Sequence, residues 1–128
     1  MFEFKLKIYY EDTDSGGVVY YANYLKFTER ARTNLINDLG FSLKKLNDDY
    51  DCLFIVKKIN CDYIHPAKLE DELIVQSKFL KINNASFELE QNILRDNKII
   101  FTSEIILVCV SPFGQPKKIP QDLKSLFK

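Results

Sequence analysis

Two carboxylates two residues apart, Asp12 and Asp14, are followed at once by Gly16 and Gly17 and then by the longest helical pattern in the chain. A strand ending near Tyr10 thus passes through an acidic, glycine-containing turn into a helix N-terminus. Such a junction suits acyl transfer. The first helical amides have no partner inside the helix and lie at the positive end of its dipole, so they can bind a carbonyl oxygen that becomes negative during attack. Asp14, delivered to that place, is a candidate nucleophile or general base. Gly16 and Gly17 let the backbone turn tightly and let a ligand approach without meeting a Cβ. The same residues fit a purely structural role, because Asp commonly shapes turns and caps helices. Spacing alone does not separate the two.

The stretch Asp12 to Arg32, reading Asp-Thr-Asp-Ser-Gly-Gly-Val-Val-Tyr-Tyr-Ala-Asn-Tyr-Leu-Lys-Phe-Thr-Glu-Arg-Ala-Arg, resembles the signature of the hotdog-fold acyl-CoA thioesterases. Within the 4-hydroxybenzoyl-CoA thioesterase family it is most similar to the YbgC-like branch associated with the Tol-Pal system, and the similarity is dense from Tyr9 to Gly40. The resemblance implies an acyl-CoA substrate cleaved to free acid and CoA. It puts the catalytic carboxylate on Asp14, the motif glycine on Gly17 and the amide that polarises the thioester carbonyl on Tyr21 or a close neighbour. Tyr21 stands where this branch usually has His, and the aromatic-substrate branch resembles this chain in having Tyr there. A backbone donor survives that exchange. An imidazole working near neutral pH does not, since Tyr titrates at about pH 10. Substrate choice and rate are affected more than reaction type.

The resemblance also implies no metal or redox cofactor, and subunits that pair their sheets side by side with the acyl pocket at the interface. For a chain of this size it points to a homotetramer made of two dimers, and it leaves acyl carrier protein open as a second partner. Tyr10, Tyr20 and Tyr24 are candidates to line the acyl pocket, although half-buried aromatics with wet hydroxyls explain them as well. Lys57, Lys58 and Lys68 are candidates for the CoA phosphates, although a solvated face is the commoner use of such lysines. Two other functions compete: a non-catalytic acyl-binding or scaffold module, and a hotdog dehydratase. The dehydratase would place a His in its site, whereas the single histidine, His65, lies outside the motif.

Composition bounds the rest. At 128 residues, 46% of them hydrophobic, the chain reads as one folded domain spanning 1–128. Lys plus Arg and Asp plus Glu both number 18, so no bulk positive charge points to nucleic acid or an anionic membrane surface. Cys52, Cys61 and Cys109 lack metal-ligand spacing, and their odd count fits small core residues in a reducing compartment better than a disulfide framework. Met1 to Lys5 alternates charge with apolar residues, unlike a signal peptide, and Ile105 to Val110 is too short an apolar run to span a bilayer. A cytoplasmic protein without membrane insertion is expected.

The elements that must position the motif follow from periodicity. Phe2 to Tyr10 alternates as a half-buried strand. Val18 to Ala22 is expected to make a first helical turn, with Asn23 resetting the cap before a helix whose inner face includes Leu25, Thr28, Ala31, Arg32, Leu35, Ile36 and Leu39 and which stops at Gly40. Ser42 caps a short helix through Leu46, leading to a polar loop over Asn47 to Asp51. Strands are expected at Leu53 to Ile64, Glu72 to Ile82, Ser86 to Leu94 and Ile99 to Val110, with turns at Asn83-Asn84 and Asp96-Asn97. Pro120 opens a short helix through Phe127. A strand, a long helix and four more strands describe an α+β domain, an antiparallel sheet of about five strands wrapped around one central helix.

Overall fold

A computed structural model describes residues 1–128. Its elements run β1 (Phe2–Lys7), a 3₁₀ turn (Tyr10–Asp12), α1 (Asn23–Asp38), α2 (Leu43–Tyr50), β2 (Leu53–Tyr63), β3 (Glu72–Ile82), β4 (Ser86–Arg95), β5 (Lys98–Val110) and α3 (Gln121–Lys124). The five strands form one antiparallel sheet in the order β1-β3-β4-β5-β2, with α1 packed against it. This is the hotdog architecture. Two of the ladders are hairpins, and one of their turns uses Asp96 and Asn97 at φ 50° and 65°. The other two are long-range: β1 pairs with β3, and β2 pairs with β5 rather than with the strand that follows it. No helix is long and apolar enough to cross a membrane.

Helix α1 joins two apolar clusters. Tyr24, Phe27 and Ala31 pack with Ile8, Val75, Ile93 and Phe101, while Leu35 and Ile36 pack with Leu46, Phe79, Phe87 and Leu107. Between them runs a polar belt. Gln91, buried on β4, donates to the Thr28 carbonyl and the Ser77 hydroxyl, both at 3.0 Å, and accepts from Arg32 at 3.0 Å. Ser103 adds a 2.7 Å bond to the Gln91 carbonyl. These bonds set the height of α1 over the sheet, which apolar contact alone leaves free to slide.

Several local expectations change. Val18 and Val19 are not helical but extended, bridging Lys68 and Thr13, and Val19 donates to the Ala67 carbonyl. Pairing with a neighbouring segment suits two β-branched residues better than a helical turn. Asn23 is the first helical residue and not a cap, because its side chain donates to the Asp12 carbonyl. Leu25 is exposed, and Tyr24 and Phe27 occupy the inner face instead. The expected loop from Asn47 is helical to Tyr50 and ends at Asp51 in the left-handed region. Helix α3 is only four residues long, though Leu123 and Phe127 beyond Pro120 are buried in the core.

The belt yields a test of the packing. Gln91→Leu keeps the volume but strands Arg32, Ser77 and the Thr28 carbonyl, so urea unfolding should show a loss of about 2–4 kcal/mol.

Candidate active site

The chain enters α1 through a tight hairpin. Asp14 N–H donates to the Val18 carbonyl at 2.9 Å and Gly17 N–H to the Asp14 carbonyl at 3.1 Å, with Gly17 at φ +81°. A turn followed by a left-handed glycine is a common short hairpin form. Gly16 N–H donates to Asp14 Oδ1 at 2.8 Å, so the turn itself orients the carboxylate, which stays exposed. Asp14 therefore shapes the loop and still presents a carboxylate to solvent.

Asp12 is used differently. It is only 8% exposed, its Oδ2 accepts from Tyr9 N–H at 2.9 Å, and its carbonyl accepts from Tyr20 N–H and the Asn23 side chain. The first carboxylate of the motif thus ties the incoming strand to the start of the helix.

That helix start is left open. The cap residue Ala22 has no side-chain acceptor, and the first turn contains no acidic residue. The N–H groups of Tyr21 and Ala22 have no acceptor within the chain. The Tyr20 carbonyl instead accepts from Asn23 N–H at 2.9 Å, closing a turn over Tyr21 and Ala22. With the Tyr24 N–H, which also has no acceptor, three donors at the positive end of a helix dipole are thereby available to an anionic oxygen.

Aromatic rings surround this entrance. Tyr20 and Tyr21 lie 4.8 Å apart, and the Tyr21 hydroxyl beside it holds the Tyr20 phenol above its ordinary range. Tyr21 is 63% exposed and Tyr10 81%. Tyr24 is not an open lining residue: it is 3% exposed, stacks on Phe101 at 5.3 Å, and its hydroxyl accepts from Ala67 N–H at 3.0 Å. Tyr63, at the end of β2, was read from sequence only as a strand residue. Its hydroxyl donates to the Tyr21 carbonyl at 2.9 Å across 42 positions of chain. No sequence pattern pairs the two, because the contact depends on where the end of β2 meets the entrance to α1.

The three lysines are all exposed and do not form one group. Lys68 bridges Val18 and so lies beside the Asp14 hairpin. Lys57 and Lys58 sit at a bulge in mid-β2, five or six residues from Tyr63, roughly 16–20 Å at strand rise. His65 is exposed on the loop after β2, its N–H bonded to the Ile100 carbonyl. The thiols of Cys52 and Cys109 face each other at 2.8 Å in the core. No three His, Cys, Asp or Glu side chains come together as a metal site. An apolar cavity of about 330 Å³ lies between α1 and β2, lined by Ile36, Leu43, Leu53, Phe54 and Val56 with Glu29 and Arg32. On α1 its lining begins eight residues past Tyr21, roughly 12 Å at helical rise, so it is a neighbour of the hairpin and not part of it.

The thioesterase-like superfamily model matches residues 9–127. The chain belongs to the thioesterase-like superfamily. Acyl-CoA thioesterase YbgC of Haemophilus influenzae is 37% identical over 128 residues, covering 98% of this chain and 93% of its own length. Acyl-CoA thioester hydrolase YbgC of Escherichia coli O6:H1 is 35% identical over 130 residues, covering 100% and 96%. A probable thioesterase from Bartonella henselae superposes with a TM-score of 0.89 at 29% identity, covering 92% of this chain and 98% of the other. The YbgC-like resemblance read from Asp12 to Arg32 is borne out, and the protein is a thioester hydrolase of hotdog fold.

Gly17 offers a check on the hairpin of this thioesterase. A Cβ added there meets nothing within 4 Å, so Gly17→Ala carries only the strain of φ +81°. Thermal unfolding should report a loss of about 1–2 kcal/mol, and Gly17→Asn should lose less because Asn tolerates that region.

Proposed function

We propose that this thioesterase hydrolyses acyl-CoA thioesters, with Asp14 as the catalytic carboxylate and the free amides at the start of α1 as the oxyanion site. The observation that carries this reading is the pairing of an exposed, turn-oriented Asp14 with a helix entrance whose Tyr21 and Ala22 donors are unoccupied and whose first turn holds no competing acid. The names borne by the Haemophilus and Escherichia relatives support the acyl-CoA class.

Two routes use the same groups. In one, an Asp14 oxygen attacks the thioester carbon, the C–S bond breaks, CoA leaves as thiolate, and water cleaves the resulting mixed anhydride. In the other, Asp14 takes a proton from a water that attacks the same carbon, and the thiolate departs from the tetrahedral intermediate. Both build negative charge on the carbonyl oxygen, and each well-placed amide donor lowers such a barrier by about 3–4 kcal/mol. Tyr21 acts through its backbone N–H and not its phenol. Tyr10, Tyr20 and Tyr21 border the approach of the acyl group, Tyr24 supports them from the core, and Lys68 is the lysine best placed toward CoA.

Assembly belongs to the same reading. Strand β2 pairs only with β5, so its outer edge carries unpaired backbone groups alongside exposed Leu53, Ile55, Val56, Tyr63 and Ile64. An open apolar edge next to a cavity is suited to pairing with β2 of a second copy. Two such dimers would make the homotetramer. Light scattering at assay concentration should find an oligomer, and a fully active monomer would overturn this part.

The chemistry is tested by two substitutions. Asp14→Asn keeps shape and turn-forming ability but removes the charge, so kcat/KM for thioester hydrolysis should fall by orders of magnitude with little change in melting temperature. Asp12→Asn should have the smaller kinetic effect, because Asp12 supports the backbone. An Asp14→Asn protein that hydrolyses its best acyl-CoA at near wild-type rate would sink the assignment.

A further inference from the structure

Tyr21 and Ala22 carry two of the backbone donors that stand free at the start of α1, and each of these two N–H groups belongs to a peptide group whose carbonyl is tied. The Tyr20 carbonyl accepts from Asn23 N–H at 2.9 Å, and the Tyr21 carbonyl accepts from the Tyr63 hydroxyl at 2.9 Å. A peptide group is planar, so holding its carbonyl also sets the direction of the N–H on the other side of the bond. The first tie therefore aims the Tyr21 N–H, and the second aims the Ala22 N–H. The first is local, closed within one turn. The second depends on a side chain brought from the far end of β2.

Tyr63 is built to hold that bond. Its ring meets Tyr24 edge-on at 5.2 Å, Phe101 at 5.1 Å and Tyr21 at 6.3 Å. Tyr24 is in turn buried and hydrogen-bonded to Ala67 N–H, so the platform under Tyr63 does not rotate freely. The Tyr63 phenol is pushed up to about 12, by its partial burial first and then by neighbouring Cys61. It therefore stays a hydrogen-bond donor throughout the pH range of ordinary assays. An aromatic that packed only for apolar burial would not need its hydroxyl on the carbonyl whose peptide group carries the free Ala22 N–H.

We propose that Tyr63 is a positioning residue, whose hydroxyl, through the Tyr21 carbonyl, orients the Ala22 N–H as a second donor to the thioester oxygen. The proposal rests on the reading of Asp14 and the helix entrance given above. Orientation set before substrate arrives is worth most when charge develops, so the effect belongs to turnover and not to substrate capture.

Wild type, Tyr63→Phe and Asp14→Asn are compared on a panel of acyl-CoA thioesters by free-thiol release, with kcat and KM measured on the best substrate. Thermal unfolding and the Tyr21 and Ala22 amide resonances of ¹⁵N-labelled protein are followed in parallel. The phenylalanine ring keeps the contacts to Tyr24 and Phe101, so the fold is retained. The expected result for Tyr63→Phe is a kcat lower by about tenfold or more, with KM within about twofold, an unchanged melting temperature and an Ala22 resonance displaced more than that of Tyr21. A wild-type kcat, a raised KM with unchanged kcat, a joint fall of kcat and melting temperature, or an unmoved Ala22 resonance would each overturn the role. Asp14→Asn separates the two levels. If it is inactive while Tyr63→Phe is normal, only the positioning role fails; if it is fully active, the reading of the site beneath it fails.

Discussion

A helix that begins without a cap governs this structure. Ordinarily the first amides of a helix are satisfied by a Ser, Thr, Asp or Asn at the cap, and an acid in the first turn adds to that. Here Ala22 holds the cap position and no acid follows it. The unsatisfied amides would be a weakness in a structural helix. They persist because other parts of the chain hold the entrance: Asp12 takes the Asn23 side chain and the Tyr20 amide, Ala67 takes the Val19 amide, and Tyr63 takes the Tyr21 carbonyl. The Tyr20 and Tyr21 carbonyls are tied while the N–H groups on the other side of their peptide bonds stay free. Such an arrangement forgoes capping energy and leaves donors at the helix start without a partner in the chain.

The rest of the core keeps that entrance in register with the sheet. Helix α1 is not seated in one continuous apolar layer; its two ends pack in separate clusters, and the Gln91 belt lies between them. A buried amide with both donors and its oxygen engaged ties one face of the helix to one height on β4, since any slip leaves polar groups unpaired in a low-dielectric interior. The entrance cluster continues the same logic. Tyr24 stacks on Phe101 of β5, and its hydroxyl reaches the loop after β2. Sheet, helix start and that loop are thus joined by aromatic faces on one side and by single hydrogen bonds on the other.

The open edge gives the domain its second constraint. A strand paired on one side only, with apolar residues exposed along it, is stable as an isolated edge only if it is short, charged or covered. Strand β2 is 11 residues long, and Lys57 at its bulge and Lys58 next to it are the only basic residues along it. The α1–β2 cavity and Tyr63 both lie along this edge, so a second copy placed there would cover the apolar row and close off the side of the site that one chain leaves exposed.

Much of this was legible in the sequence because it rests on local chemistry. Period-two alternation placed β1, and β-branched and aromatic runs bounded by turn residues placed β2, β3, β4 and β5 to within a few residues. Asp96 and Asn97 announced their turn because few other residues tolerate positive φ, and Gly40 marked the end of α1 for the same reason. The family motif was likewise readable, since it is a contiguous string. What failed depended on partners distant in the chain. Val18 and Val19 became extended because residues 67 and 68 offered them a bridge, and Leu25 gave up the inner face to Tyr24, which stacks on Phe101 of β5, and to Phe27, which packs in the same apolar cluster. The order β1-β3-β4-β5-β2 was equally hidden, because two of its ladders join strands that no hairpin connects. By itself the sequence determined most of the elements, the turns and the acidic, glycine-containing motif that precedes the long helix. Only the tertiary structure decided which amides at that start were left free and that Tyr63 would hold the carbonyl beside them, because a hydrogen bond across 42 residues is set by the closure of the sheet around the helix and by no local preference.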